Sequence, residues 1–407
     1  VITATKVKLY PNEGQKILLE KHFGSCRFVY NYFLAKRDEY YITHRDAKKS
    51  SLNYLDTQNM LIDLKKEYPW LYEINAQSLQ MSLRFLDNAF KNFFHKNADH
   101  PRFKKKGINE YFAVPQHIKI QGNRIYFPKF SEGIYFKGSR EKLSKIKDVN
   151  EIIITKDSGY YYCSIIYEIP EEFPEKKPLS EENSVGIDLG IEKFATLSDG
   201  TVIENPRFIK KIEKRIRRLQ KQLSRKQNGS KNRRKHILKL QKEYMKIRNM
   251  REDFDDKIST AIAKRYDTIV IEDLNVSGMF RNHHIAKSLS DVSFYSFKQK
   301  LEWKAEKYGK NIIEIGRFDP SSKICSRCGN IKHDLKLSDR IYHCDVCGLI
   351  IDRDLNAAKN IRKIGLIKVG LVQSELTPVE IATSGLYGIY PYRQMSVVES
   401  GSSEASA

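Results

Sequence analysis

The period of the apolar residues changes several times along this chain, and each change marks a new element. Residues 2–10, Ile-Thr-Ala-Thr-Lys-Val-Lys-Leu-Tyr, alternate as a strand that Pro11-Asn12 closes. From there to about residue 95 the period is helical. Ile17, Leu18, Phe23, Val29, Tyr30 and Leu34 fall near one helical face, and Leu79, Leu83, Leu86, Phe90 and Phe94 form a second stripe. Stripes of this composition are expected inside a core rather than as platforms for stacked bases. From residue 111 to 170 short alternating runs take over, among them Arg124-Ile-Tyr-Phe, Glu151-Ile-Ile-Ile-Thr and the run Tyr160 to Tyr167, with polar turns between them. They predict a small antiparallel barrel or sandwich that also takes in the first strand, so that the helical block is an insertion into a β domain.

The segment 169–183 is rich in proline and charge and reads as a linker. Ser184-Val-Gly-Ile-Asp-Leu-Gly190 follows as a buried strand with one carboxylate in it, and Asp199-Gly200 marks a hairpin turn shortly after. Ile209, Ile212, Ile216, Leu219 and Leu223 then repeat at helical spacing, and the stripe resumes beyond Asn228-Gly-Ser at Ile237, Leu240, Tyr244 and Ile247. This predicts an antiparallel helical hairpin with one apolar seam and a basic outer face. Another buried strand, Thr268-Ile-Val-Ile-Glu272, comes next, and a helix is expected after Asp354.

Charge narrows the class of partner. The 407 residues suffice for two or three domains, and 72 Lys and Arg against 50 Asp and Glu leave a net +22. Such an excess suits a polyanion, with nucleic acid favoured over lipid, and no apolar run is long enough to span a bilayer. Lys and Arg dominate 210–251, which makes the hairpin a candidate nucleic-acid-facing surface. The basic link His100-Pro-Arg-Phe-Lys-Lys-Lys106 reads equally as a solvated loop or a phosphate contact. Val1 in place of Met suggests a trimmed start, and with no secretory signal this lysine-rich chain is expected to be intracellular, in the cytoplasm.

Four cysteines carry the sharpest chemical signal. Cys325-Ser-Arg-Cys328 and Cys344-Asp-Val-Cys347 are separated by fifteen residues, the spacing of a four-thiolate zinc ribbon. Two disulfides are the competing reading, disfavoured in a reducing compartment. Cys26 and Cys163 lie in apolar surroundings and are expected to be buried free thiols. Three acids also stand in apolar contexts: Asp188 within a strand, Glu272 at a strand end, and Asp354 just before Asn356-Ala-Ala-Lys-Asn. Each alone fits a structural role, Asp354 as a helix N-cap and the other two as carboxylates bonded to backbone. Two carboxylates about 4 Å apart repel by roughly 4 kcal/mol at an effective dielectric near 20, so convergence of all three requires a divalent cation, Mg²⁺ or Mn²⁺.

At these residues the chain resembles the TnpB (OrfB) family, RNA-guided nucleases encoded by insertion sequences and related to compact type V CRISPR effectors. The matching motifs are Gly186-Ile-Asp-Leu-Gly-Ile, Ile271-Glu-Asp-Leu-Asn, Phe318-Asp-Pro-Ser-Ser-Lys-Ile-Cys-Ser-Arg-Cys-Gly and Cys347-Gly-Leu-Ile-Ile-Asp-Arg-Asp-Leu-Asn-Ala-Ala-Lys-Asn-Ile, with weaker echoes at Thr5 to Pro11 and Pro101 to Lys106. The resemblance covers residues 3 to 366. It implies an α/β multidomain protein whose RuvC-like, RNase H-type nuclease domain spans 184–366, with the basic hairpin at 204–251 and the zinc ribbon inserted at 321–350. A wedge-type β-barrel would comprise 1–11 and 110–170, carrying a helical recognition domain at 12–109. Residues 171–183 would link the two halves, and 367–407 are expected to be disordered.

The same resemblance places a catalytic, Mg²⁺-binding triad on Asp188, Glu272 and Asp354, with Asp352 as the alternative third acid. Zn²⁺ would be structural, on Cys325, Cys328, Cys344 and Cys347. The partners implied are a guide RNA transcribed from the element's end and a double-stranded DNA target beside a short adjacent motif, gripped by one chain or by two on one RNA. Hydrolysis would leave a 5′-phosphate and a 3′-hydroxyl. Two rival readings are a strand-transferring transposase, for which no helix-turn-helix pattern clearly supplies an end-recognition domain, and an RNA-guided repressor without cleavage, in which a triad acid would be expected to be missing. His283 and His284 read as loop residues rather than ligands.

Overall fold

The structure, a computed structural model, describes residues 1–46, 49–138, 146, 148–169, 172–274, 292–317, 319–336 and 338–372. His283, His284 and the tail beyond 372 lie outside the described residues. The chain divides into two compact units, residues 1–172 with 218–245, and residues 173–217 with those from 246 onward.

The first unit is built on strand β1 (Ile2–Tyr10) and on β2 (Glu110–Val114), β3 (Lys119–Gln121), β4 (Arg124–Phe127), β5 (Phe130–Lys137), β6 (Val149–Asp157) and β7 (Tyr160–Glu168). These form one antiparallel sheet in the order β2-β6-β7-β1-β5-β4-β3, and no ladder joins its edges β2 and β3 among the described residues. The first strand of the chain is therefore central. Alternation sends Val7 and Leu9 into the core, while Lys6 and Lys8 lie over the rings of Tyr162 and Tyr160 on the other face.

Between β1 and β2 stand three helices, α1 (Glu13–Thr43), α2 (Tyr54–Glu67) and α3 (Ala76–Phe94). Asn12 starts α1 with a capping box, its side chain taking the Gln15 N–H while Gln15 reaches back to the Asn12 N–H. Leu19, Phe23, Cys26, Val29, Phe33 and Leu34 of α1 and Leu79, Leu83, Leu86 and Phe90 of α3 are buried in the same core as the sheet. Cys26 and Cys163 are both buried free thiols there. Two residues of the expected stripes are instead exposed. Ile17 is 61% accessible because it sits two residues, about 200° of helix turn, from Leu19 on the buried face. Phe94, the last residue of α3, is 67% accessible beyond the reach of the core.

The basic link 100–106 splits by residue. Lys104 lies over the rings of Tyr30 and Tyr111, and its backbone is held at both ends by the Asn31 side chain. Burial pushes its ammonium down to about 8. Arg102, Lys105 and Lys106 stay exposed.

The second unit centres on β8 (Ser184–Leu189), β9 (Lys193–Leu197), β10 (Val202–Glu204), β11 (Thr268–Glu272) and β12 (Asn311–Ile315), in the order β10-β9-β8-β11-β12. β8, β9 and β10 meander antiparallel, whereas β11 runs parallel to both β8 and β12. Helices α4 (Phe208–Ser224) and α5 (Lys231–Arg265) form the predicted hairpin, of which residues 218–245 are counted with the first unit, and α5 extends well past its expected end. Ile216 and Ile247 are buried, but Tyr244 is exposed, with its hydroxyl taking a hydrogen bond from Gln220. α6 (Phe294–Lys307) precedes β12, and α7 (Arg353–Lys368) closes the unit; it carries regular structure past the expected end of the fold at 366.

Segment 174–183 has no helix or strand yet is docked within this unit. The Lys177 N–H donates to the Gly309 carbonyl at 3.0 Å, Asn311 Nδ2 donates to the Lys177 carbonyl at 2.8 Å, and Asp267 gathers Lys177, Asn183 and Lys310.

Candidate active site

The register of the parallel ladder decides where two of the three acids go. Ile271 pairs with Ile187, so one residue further on β11 carries Glu272 alongside Asp188 of β8. α7 then lies unusually close to these strands. A Cβ added to Gly186 would stand 2.2 Å from the Ala358 carbonyl oxygen, and one added to Gly365 would stand 2.3 Å from Val270. Only glycine permits that approach, and it brings the start of α7, with Asp354 in its first turn, to the ends of β8 and β11.

Asp188 shows what the convergence costs. Burial, then the neighbouring Glu272 and Asp354 carboxylates, push its carboxyl up to about 8, against a smaller opposite pull from Arg353. Burial also raises Glu272, opposed by a hydrogen bond from the Ser321 hydroxyl and reinforced by Asp319. Beside Glu272 an open cavity of about 600 Å³ is walled by Leu189, Ile271, Phe294 and Phe297, with Tyr295, Lys298 and Arg317 at its rim.

The N-cap of α7 is Asp352, not Asp354. Asp352 Oδ1 accepts from the backbone N–H groups of Asp354 and Leu355 at 2.9 and 3.0 Å, and its Oδ2 takes the Lys193 ammonium at 2.8 Å. Although burial pushes Asp352 up, Lys193 and those N–H groups hold it below its ordinary value. Asp354 is left in the first helical turn, where the helix dipole favours a carboxylate. Three carboxylates whose charges act on Asp188 offer hard oxygens, a donor type suited to Mg²⁺ or Mn²⁺.

The cysteines form a second cluster. Cys325 and Cys347 stand 3.6 Å apart at sulfur, as do Cys328 and Cys344, and all four sulfurs lie within 4.8 Å of one another. A disulfide bond spans about 2.05 Å, whereas the edge of a tetrahedron with Zn–S bonds of about 2.3 Å is about 3.8 Å. The spacing fits a tetrahedral ion and excludes bridges. Among the described residues this is the one group of candidate ligands drawn so tightly together.

The two knuckles repeat one another. The Gly329 N–H donates to Cys325 O at 2.9 Å and the Gly348 N–H to Cys344 O at 3.0 Å, with both glycines at positive φ. The N–H groups of Cys347 and Val346 outweigh burial and hold the Cys344 thiol down to about 6. Strands β13 (Ile341–His343) and β14 (Ile350–Asp352) flank the second knuckle, and Tyr342 is fully buried against the sulfurs.

Residues to which the sequence reading gave no role tie the two clusters together. Asn356 and Asn360, one turn apart on α7, are almost fully buried. Asn356 holds the Ser326 N–H and the Ile324 carbonyl at 2.9 and 2.7 Å, and Asn360 donates to the Ser321 and Ile324 carbonyls at 2.7 and 2.6 Å. Ser321 is therefore gripped from α7 while its hydroxyl donates to Glu272. The available signal was two asparagines at i, i+4 on the apolar face of a helix, where only partnered polar groups are tolerated.

Comparison with known proteins completes the description. The chain is 33% identical over 383 residues to an Escherichia coli K12 protein named "Putative RNA-guided DNA endonuclease InsQ", covering 89% of this chain and 92% of that one. The chain belongs to the TnpB (OrfB) family. A Streptomyces pristinaespiralis protein of similar name is 32% identical over 368 residues, 89% of each chain, and a mimivirus TnpB-like protein is 26% identical over 403 residues, covering 90% of this chain and 74% of that one.

Family models described as "Probable transposase" and "Cas12f1-like, TNB domain" match residues 164–283 and 294–361 of this TnpB-family chain. A third, described as a helix-turn-helix domain, matches 1–46, which here form β1 and the single uninterrupted helix α1. Among solved structures, the chain is similar to the Cas12f1 protein of a complex with guide RNA and target DNA at 14% identity and TM-score 0.48, covering 89% of this chain and 98% of that one. No helix among the described residues is long and apolar enough to cross a membrane.

Proposed function

We propose that this chain is an RNA-guided, Mg²⁺-dependent DNA endonuclease of an insertion sequence, cutting double-stranded DNA beside a short adjacent motif. The observation that carries the reading is the gathering of Asp188, Glu272 and Asp354, where burial first and the neighbouring carboxylates second raise Asp188 to about 8, a penalty on its charge that a cation would relieve. Membership of a family whose relatives are named RNA-guided DNA endonucleases supports the substrate, and a net charge of +22 supports nucleic-acid partners. The second unit takes the part of a RuvC-like nuclease domain, with Zn²⁺ on Cys325, Cys328, Cys344 and Cys347 as its structural ion. The first unit takes the part of wedge and recognition domains that hold the guide RNA and read the adjacent motif.

In this reading Asp188, Glu272 and Asp354 hold Mg²⁺ or Mn²⁺. A cation held there would supply Lewis-acid stabilisation of the phosphodiester and a more acidic attacking water. Ser321 fixes the Glu272 carboxylate through its hydroxyl, Asp352 caps α7, and the cavity beside Glu272 leaves room for the strand. The test is cleavage of a plasmid bearing a randomised motif beside a chosen target, with protein purified on a matching guide RNA, in Mg²⁺ or in EDTA. Metal-dependent cuts that follow the guide are expected, and Asp188→Ala should abolish them while a gel shift with the target persists. Binding without cutting by the parent chain would instead make it a repressor.

A further inference from the structure

The two acids of Asp352-Arg-Asp354 are offered unequal partners, and the difference comes from a strand remote in sequence. Lys193 begins β9. Its ammonium lies 2.8 Å from Asp352 Oδ2 and 3.8 Å from Asp354 Oδ2, a hydrogen-bonded pair in the first case and a through-space contact in the second. The neighbouring Glu192 is taken by Arg340 at 2.8 Å, which leaves Lys193 to the two aspartates. Asp352 then has neither oxygen to give, since Oδ1 is engaged by two backbone N–H groups and Oδ2 by the ammonium. Asp354 has Arg353 at 3.6 Å and Lys193 at 3.8 Å, both beyond hydrogen-bond distance.

We propose that Lys193 is a positioning residue that withholds Asp352 from cation binding, selects Asp354 as the third ligand, and keeps the affinity of the site for divalent cations low. The inference rests on the endonuclease reading above. Its physics is that of a fixed positive charge beside a cation site. A divalent ion held by Asp354 would stand close to the ammonium and be repelled by it, and the ammonium also neutralises an acid that would otherwise add its attraction. Both effects act in the same direction. A weakly held cation is one that a phosphodiester, bringing its own oxygens, can complete on arrival.

The experiment is titration of the full-length, zinc-loaded chain with Mn²⁺ alone, without nucleic acid, followed by calorimetry and by the electron paramagnetic resonance signal of free Mn²⁺. Lys193→Met should tighten Mn²⁺ binding by about tenfold, and Lys193→Arg, which retains the charge, should bind as the parent does. Asp354→Asn should lose binding, whereas Asp352→Asn should keep a measurable site. Melting temperatures of all variants show whether each is folded. If Lys193→Met binds Mn²⁺ no more tightly than the parent, or if Asp352→Asn loses as much affinity as Asp354→Asn, the inference is overturned. Asp188→Ala separates the two layers of argument. Loss of binding in that variant leaves the cation site standing whatever Lys193 does, and full retention removes the cation site and the inference with it.

Discussion

The four sulfurs and the three acids of the second unit are both sets of candidate ligands, but the chain assembles them by different means. Each pair of cysteines sits in a knuckle closed by its own backbone hydrogen bonds, Gly329 to Cys325 and Gly348 to Cys344, so the local sequence already turns the sulfurs inward. The acids come from β8, β11 and α7, which are separate elements brought together by a parallel register and by glycines that let α7 approach the sheet. The sulfurs converge to the edge length of a tetrahedron. The acids share a neighbourhood in which burial, and after it the charges of Glu272 and Asp354, raise Asp188. A site that only has to hold its ion can be made locally and tightly. One that, on the proposed reading, takes up a cation and a substrate together is assembled from afar, in a state that costs stability until they arrive.

Removing a sulfur tests this contrast most severely. Ribbon zinc contributes about 10 to 16 kcal/mol in small modules, so Cys344→Ser should unfold 321–352 locally, read as loss of bound zinc and new protease cleavage there. Unchanged zinc content and protease resistance would remove the ribbon from the comparison.

Next in size is Gly186→Ala, which sets a methyl carbon against the Ala358 carbonyl and should cost about 3 kcal/mol in thermal or urea unfolding. A neutral result would mean that α7 can shift without strain, against the account of how Asp354 is placed.

The smallest effect has the opposite sign. In metal-free protein Asp188→Asn should raise stability by roughly 2 kcal/mol at pH 8, because it removes a carboxylate that folding disfavours. The sign follows from the raised value. The folded state binds the proton more tightly than the unfolded chain, so the parent loses stability as pH rises from about 4 to about 8, and the Asn variant should lose less over that window. Equal pH profiles for the two proteins would place the strain elsewhere.

Local pattern made much of this legible. The apolar runs 184–189 and 268–272 announce strands, each bearing one acid, and CxxC-Gly written twice announces two knuckles. What the sequence conceals is pairing at long range. Nothing near Lys193 points to Asp352, and nothing near Ser321 points to Asn360 and Glu272. The two DRD acids also look interchangeable until the backbone N–H groups of α7 assign the cap to Asp352. Segment 174–183 misleads in a similar way, since proline and charge suggest a free tether while Asp267 and Gly309 hold it down. Helical stripes locate a face only approximately, which is why Ile17 and Tyr244 fall on the solvent side.

The grip of Asn360 on Ser321 also has a meaning in time. A ribosome delivers Asp188 and Glu272 long before residue 321, so both acids emerge without the hydroxyl that steadies Glu272 and without the helix that carries Asp354. The segment that completes the acids is the same one that carries the four cysteines. On the proposed reading, cutting competence comes late in synthesis, after the segment that carries the four cysteines has emerged and packed against α7.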